Sequence, residues 1–375
     1  MKTIDLFAGC GGLSLGLKYA GYDLQLASDF KDYAGETFVK NFKDSEYLVA
    51  DIIEIEKSGW KSLKKYQKKI SLVAGGPPCQ GFSMANRQRL SDDPRNKLYK
   101  SFLGAVDFLK PECVLMENVE GITKVSDSIY QEFEEVGYFG KCFLLNAKEF
   151  GIPQNRKRAF FIFFRGNEKK NLPKLEAIEK QLNKDKEISP KFVLKDALFG
   201  LPELNAKIEK NRTDLESPKY GYRKSINKNN LGNAYLKLIN KKKNNQEIYN
   251  HLARYNNDRD IEIFRLLPQG ANSLHPSIDH LMPYKSRNHI FKDKYFKLDA
   301  KKPSKTITAH MSFDCNMYVH PTQARGLTPR EAARIQTFPD YFEFKGAYTK
   351  WYQQIGNAVP PHLGMVVGNA IKEFL

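Results

Sequence analysis

The sequence predicts an α/β protein, with a mostly parallel sheet, helices on both faces and a smaller second domain. Short apolar, β-branched runs alternate with helix-patterned stretches through the first 165 residues. A Gly-rich turn, Ala8-Gly9-Cys10-Gly11-Gly12, joins the first such run to the first helix. The length, 375 residues, exceeds the size at which one core keeps growing, so two domains are expected.

Residues 2–7 read as the first strand. Leu13, Leu15, Gly16, Leu17 and Tyr19 then suit a helix packed on it. Strand, glycine turn and helix lets backbone approach a ligand closely, as in nucleotide sites. The glycines lack GxGxxG spacing, which weighs against a nicotinamide dinucleotide. Residues 24–27 form a second strand ending at Asp29, and residues 47–50 a third, followed by Asp51 and Ile52. An acid at such a tip, about 20 residues beyond the glycines, can accept hydrogen bonds from ribose hydroxyls. Either aspartate alone reads as an ordinary helix cap or turn residue; two on consecutive strand tips point to a ligand.

Residues 70–74 form a buried strand, and GGPPCQGFS at 75–83 turns the chain sharply. Cys79 at that turn is placed like a nucleophile, the alternative being a small buried thiol. Residues 84–97, with Arg87, Arg89, Arg95 and Lys97, read as a loop able to close on a phosphate backbone, or as a solvated surface loop. Residues 99–109 are helical, and residues 111–116 form a strand ending in Glu117-Asn118-Val119. If that strand neighbours the one before Cys79, Glu117 lies near the thiol and can exchange a proton with a ring nitrogen. Residues 140–147 and 159–164 are further strands, and Arg156 and Arg158 share one face if extended.

From residue 165 to about 189 the chain turns rich in Lys, Glu and Asn, and a domain boundary is expected there. The first domain spans 1–189, completed by 348–375; the second spans 190–347. Few clear periods appear before residue 300. Residues 303–309 are β-rich. Thr328, Pro329 and Glu331 form a capping box, and Pro339 stops the helix it starts. Residues 354–361 read as a turn and 364–374 as a closing helix.

The net charge of +17, from 60 basic and 43 acidic residues, suggests a polyanionic partner, although abundant Lys and Asn also fit an AT-rich genome. Five scattered cysteines without a CxxC pair argue against a disulfide framework or a zinc site and for a reducing compartment. No apolar run is long enough to span a membrane and no signal peptide is evident, so the cytoplasm is expected.

Taken together, DLFAGCGG at 5–12, GGPPCQGFS at 75–83, ENV at 117–119, QNRKR at 154–158, RGLTPREAARIQTFPD at 325–340 and QIGNAVPP at 354–361 resemble the C5-cytosine DNA methyltransferase family. The ordered series is far more specific than any one piece, and it covers the chain outside about 190–295. The resemblance implies a Rossmann-like S-adenosylmethionine fold whose last helix returns beside its first strand. It implies a cofactor pocket of Phe7, Ala8, Gly9, Gly11, Gly12, Asp29, Phe30, Asp51, Ile52, Pro77, Asn357, Ala358 and Val359, with S-adenosylhomocysteine as product and no metal. Asp29 departs from the glutamate that most members carry. Cys79 would be the nucleophile, Glu117 the group at N3 and Arg158 the cation at O2, with Arg156 supporting. Ser83, Arg87, Arg89, Arg95 and Lys97 would meet DNA, and residues 190–295 would read bases. The expected partner is double-stranded DNA, with a cognate restriction endonuclease acting separately and the enzyme a monomer. A tRNA cytosine methyltransferase of the same family and a silent DNA-binding module are the alternatives; the CFT tripeptide usual in the former is absent.

Overall fold

A computed structural model describes residues 1–78, 96–226, 233–240, 247–282 and 293–375. The chain divides into two units, one of residues 1–150, 156–190 and 358–375, the other of 151–155 and 191–357. Residues 151–155 and 348–357, assigned from sequence to the first domain, therefore group with the second unit.

The first unit runs β1 (Lys2–Leu6), α1 (Gly12–Tyr19), β2 (Asp23–Asp29), α2 (Asp32–Asn41), β3 (Glu46–Val49), α3 (Ile52–Lys57), β4 (Leu72–Gly75), α4 (Asn96–Leu109), β5 (Cys113–Val119), α5 (Ser126–Glu135), β6 (Tyr138–Asn146), β7 (Lys157–Arg165) and α6 (Glu168–Ile188). Its seven strands form one sheet in the order β3-β2-β1-β4-β5-β7-β6. β1 to β5 pair in parallel, whereas β7 runs antiparallel to β5 and β6. The strand order reverses direction at the β1–β4 seam, and in open α/β sheets ligands bind beyond the carboxyl ends of strands at such a point.

The sheet centre is deeply buried because β4 and the middles of β5 and β7 are apolar on both faces. Every residue of β4 is buried, as is Phe160–Phe164 of β7. Phe133 of α5 stacks on Phe163 with ring centroids 3.8 Å apart. The closing helix, Pro361–Lys372, packs on α1. Gly16 permits this, since a Cβ there would lie 2.4 Å from the Pro361 carbonyl oxygen. Tyr22 Oη donates to the Gly368 carbonyl at 2.9 Å.

Several expectations are corrected. β1 stops at Leu6, and Phe7 turns into the left-handed region at φ 64°. β5 extends to Val119, so Glu117 lies within the strand rather than beyond it. The Lys- and Glu-rich stretch after β7 is a continuous helix, α6, belonging to the first unit.

The second unit contains α7 (Leu194–Leu198), β8 (Gly221–Ile226), α8 (Ala234–Ile239), β9 (Glu247–Leu252), α9 (Asp258–Leu266), α10 (Pro329–Ile335) and α11 (Tyr348–Asn357). β8 and β9 form an antiparallel ribbon. α10 starts with the expected capping box, Thr328 and Glu331 each bonding the other's backbone N–H. Its charged residues point inward. Arg325 grips the Glu331 carboxylate with two bonds of 2.7 and 2.8 Å, and Arg334 grips Asp340 at 2.6 and 2.9 Å. Residues 303–309 form no strand; Ser304 makes a single bridge with Gln154. Residues 354–357, read as a turn, are the last turn of α11.

Candidate active site

Past the carboxyl end of β1 the backbone coils tightly, with φ 64° at Phe7, 53° at Gly9 and 90° at Gly11. Gly11 is required on two counts. Its left-handed φ is cheap only for glycine, and a Cβ would strike the Phe42 and Phe38 rings at 2.6 and 2.9 Å. The loop is fixed by Ala8 N–H donating to the Ser28 carbonyl at 2.9 Å and Gly9 N–H donating to Asp29 Oδ2 at 3.0 Å. Lys31 N–H donates to Asp29 Oδ1 at 3.1 Å. Burial raises the Asp29 pKa against these bonds. Thus Phe7, Ala8, Gly9 and Asp29 lie together at the carboxyl ends of β1 and β2, where such sheets form a ligand crevice, with Gly11 and Gly12 buried behind them and Phe30 exposed beside Asp29.

Asp5 is a residue the sequence reading passed over. It lies inside β1, nearly inaccessible, accepting a short hydrogen bond from Ser14 Oγ of α1. Its other oxygen, Oδ1, is buried without a hydrogen-bond partner among the described residues. Desolvation, aided by the nearby Asp29 charge, raises its pKa to about 7. An acid flanked by Ile4 and Leu6 in a strand leading to a glycine turn was the available signal.

The second cluster forms where β4 and β5 end side by side, Gly75 opposite Met116. Glu117 is buried, and a Cβ at Gly76 would lie only 3.3 Å from its Oε2. Arg158 Nε lies 3.1 Å from Glu117 Oε1, both side chains being largely shielded. The antiparallel register, with Val119 opposite Arg158, brings the pair together. Burial raises the Glu117 pKa and outweighs the lowering by Arg158 and Arg156. Burial likewise lowers that of Arg158, which stays a cation because guanidinium starts so high. Arg156 is almost wholly buried, and its Nη2 donates to the Ala358 carbonyl at 3.0 Å. Asn118 Nδ2 donates to the Pro77 carbonyl at 2.8 Å, tying the end of β5 to the turn after β4. That role for Asn118 was also not foreseen.

Cys79, Ser83, Arg87, Arg89 and Arg95 lie outside the described residues. Lys97 is exposed in the first turn of α4. Asp51 caps α3, its Oδ1 accepting from Ile53 N–H at 2.9 Å, while Ile52 is buried behind it. Pro77 and Val359 are buried in the first unit; Asn357 ends α11 in the second. Among the described residues no group of three or more His, Cys, Asp or Glu is placed to hold a metal, and no helix is long and apolar enough to cross a membrane.

Residues 1–373 match the family model described as C-5 cytosine-specific DNA methylase. The type II methyltransferase M.DdeI of Desulfomicrobium norvegicum is 34% identical, over 100% of this chain and 89% of its own length. The type II methyltransferase M.AgeI of Thalassovita gelatinovora is 31% identical, over 99% of both chains. A candidate DNA modification methyltransferase encoded within an E. coli prophage has a crystal structure superposing with a TM-score of 0.75 at 27% identity, covering 100% of this chain and 99% of that one. With its fold, its strand-end acid and its ordered motifs all in agreement, the chain belongs to the C-5 cytosine-specific DNA methylase family and is a DNA cytosine-5 methyltransferase.

Proposed function

We propose that this enzyme methylates C5 of a cytosine turned out of a specific duplex DNA sequence, through a transient bond between Cys79 and C6, as the modification partner of a restriction endonuclease that acts separately. The observation that carries this reading is the shielded Glu117–Arg158 pair, 3.1 Å apart, beside the turn that leads to Cys79. The restriction role rests on the relatives being type II methyltransferases.

The crevice suits S-adenosylmethionine. Asp29 accepts two backbone bonds and keeps lone pairs for ribose hydroxyls, and Asp5 Oδ1 is a buried acceptor with no protein donor among the described residues. Phe7, Ala8, Gly9, Gly11, Gly12, Phe30, Asp51, Ile52, Pro77, Asn357, Ala358 and Val359 would complete its surroundings. When bound, it supplies an electrophilic methyl group on a sulfonium sulfur.

C5 of cytosine is a poor nucleophile. Addition of the Cys79 thiolate to C6, with a proton held at N3, converts the C4–C5 edge into an enamine. Glu117 suits the N3 position because its raised pKa keeps the acid form available. Arg158 orients Glu117 and offers a cation to O2, and Arg156 holds the start of β7 in place through Ala358. After C5 is alkylated its proton is lost to water, the C6–S bond breaks, Cys79 departs as thiolate and N3 returns its proton to Glu117, restoring the neutral aromatic ring. Turning the base out costs roughly a few kcal/mol, which phosphate contacts from Ser83, Arg87, Arg89, Arg95 and Lys97 would offset. The second unit would read the target bases.

Labelled methyl groups should enter duplex DNA and not tRNA; label in tRNA alone would reverse the substrate assignment. Cys79→Ser should abolish transfer while cofactor affinity stays within about twofold, as expected when a nucleophile is lost and the pocket is not. Undiminished turnover in that variant would refute the role of Cys79.

A further inference from the structure

The amino ends of the parallel strands, on the far side of the first unit from the crevice, carry a concentrated positive charge. The segment entering β4 reads KSLKKYQKK over residues 61–69. Residues Lys61–Tyr66 form a 3₁₀ helix, in which side chains three apart eclipse. Leu63 and Tyr66 therefore point together into the core, while Lys61 and Lys64 share an outward column. Lys65 and Tyr66 bind Glu46 at the start of β3, and Ser71 N–H donates to the Lys2 carbonyl at the start of β1, which places the segment across the amino ends.

Lys2, Lys61, Lys64, Lys68 and Lys69 are all exposed, and no ion pair within the described residues involves any of them. Among the described residues the acids at this end without an ion pair are Asp23 and Glu112 beside β2 and β5, and Glu134, Glu135 and Glu168 towards the β6 edge, whereas Glu46 and Asp107 are occupied by Lys65 and Lys110. Arg165 ends β7 beside them, its Nη1 donating to the Lys110 carbonyl. Two of the lysines occupy backbone that favours glycine: Lys68 at φ 57° and Lys110 at φ 51°. They are neighbours, since Lys68 N–H donates to the Leu109 carbonyl at 2.9 Å. Lys68 thus stands outward on a tight double turn, its segment anchored from below by Leu63, Tyr66 and Ile70, while Lys110 is held by Asp107.

We propose that this face holds the phosphate backbone of a second duplex DNA segment, distinct from the one whose cytosine is methylated. The proposal rests on the DNA reading above. The five residues of β1 separate the two ends of the sheet by roughly 17 Å, so a duplex lying against the crevice does not cover these lysines. The column of Lys61 and Lys64 rises about 6 Å, near twice the 3.4 Å axial spacing of phosphates on one strand. A polyanion there would release counterions and keep the enzyme near DNA between target encounters.

The test is capture. Wild-type enzyme loaded on a bead-tethered target duplex should retain a labelled duplex that lacks the target, and lose it as salt rises from roughly 50 to 200 mM. The variant K61Q/K64Q/K68Q/K69Q should retain about tenfold less, while kcat/KM on a short single-target duplex stays within about twofold of wild type. Retained short-duplex activity also reports that the variant folds. No capture by wild type, equal capture by the variant, or stronger capture of RNA than of duplex DNA would overturn the proposal. So would a parallel loss of short-duplex activity in a variant that unfolds at the wild-type temperature, since the lysines would then serve the target duplex. Absence of label in the short duplex with wild-type enzyme would instead defeat the methylation reading, whatever the capture.

Discussion

Glu117 shows how a single carboxyl group acquires a task. Its strand register sets it beside Arg158, and its burial shifts it toward the protonated form. Because burial raises the folded pKa, the acid form persists to higher pH than that of an ordinary carboxyl and is lost as pH rises through the shifted value. Cys79 has the opposite need, so kcat should be bell-shaped in pH. Glu117→Gln should lower kcat about 10²-fold, the amide being unable to give up a proton, and should remove the alkaline decline. An alkaline limb that persists unchanged in this variant would exclude Glu117 as its source. The residue types at this site were legible because thiol, acid and guanidinium stand in sharply bounded motifs. Asp5 was overlooked because its importance comes from burial, and a strand only five residues long does not reveal in sequence how deeply it lies.

At the scale of elements, α10 repeats the lesson that local signals read well when short-range chemistry fixes them. Thr328 accepts from Glu331 N–H, and its Oγ1 lies 3.0 Å from His251 Nδ1. Thr328→Ala should destabilise the second unit by about 1–2 kcal/mol, the usual value of a cap, and Thr328→Ser should recover most of it. Urea midpoints of the three proteins would check this; indistinguishable midpoints would show the cap to be dispensable. α6 was illegible for the converse reason. Only Asn171, Leu175, Ile178 and Leu182 are buried in its 21 residues, too thin a stripe to stand out among lysines, and Pro173 looks like a breaker. The 303–309 run misled because β-branched residues signal a half-buried surface rather than pairing, and the partner here is Gln154, whose Oε1 accepts from Ile307 N–H.

Across the whole molecule, buried ionisable groups give the two units opposite responses to acid. In the second unit, burial lowers the pKa of His251 to about 4 and of His320 to about 3, and the Arg325 contact holds Glu331 well below the ordinary carboxylate range. All three bind fewer protons folded than unfolded. Their contribution is therefore complete above about pH 6.5 and is lost as pH falls below it. In the first unit, Asp5 is raised to about 7, so its folded form gains relative stability as pH falls toward 4. Hydrogen-exchange protection factors, corrected for intrinsic rates, should therefore drop in residues 191–357 between pH 7.5 and pH 5 more than in β1 to β5. Uniform change in both units would contradict these assignments. The two-unit division was legible from length and from the polar turn in composition, whereas its seams were not. Residues 151–155 and 348–357 change sides through long-range bonds such as Gln336 Nε2 to the Ile355 carbonyl, which no local pattern announces.

The helix Pro361–Lys372 that seats on α1 has a consequence for synthesis on the ribosome. The surface it covers is made within the first twenty residues, yet the covering piece emerges only after the entire intervening unit has been translated. At cellular elongation rates that wait is on the order of ten seconds or more. Throughout it the nascent chain displays an uncovered greasy patch on α1, a natural foothold for chaperones. A nonsense mutation anywhere upstream of the closing helix would leave that patch permanently bare.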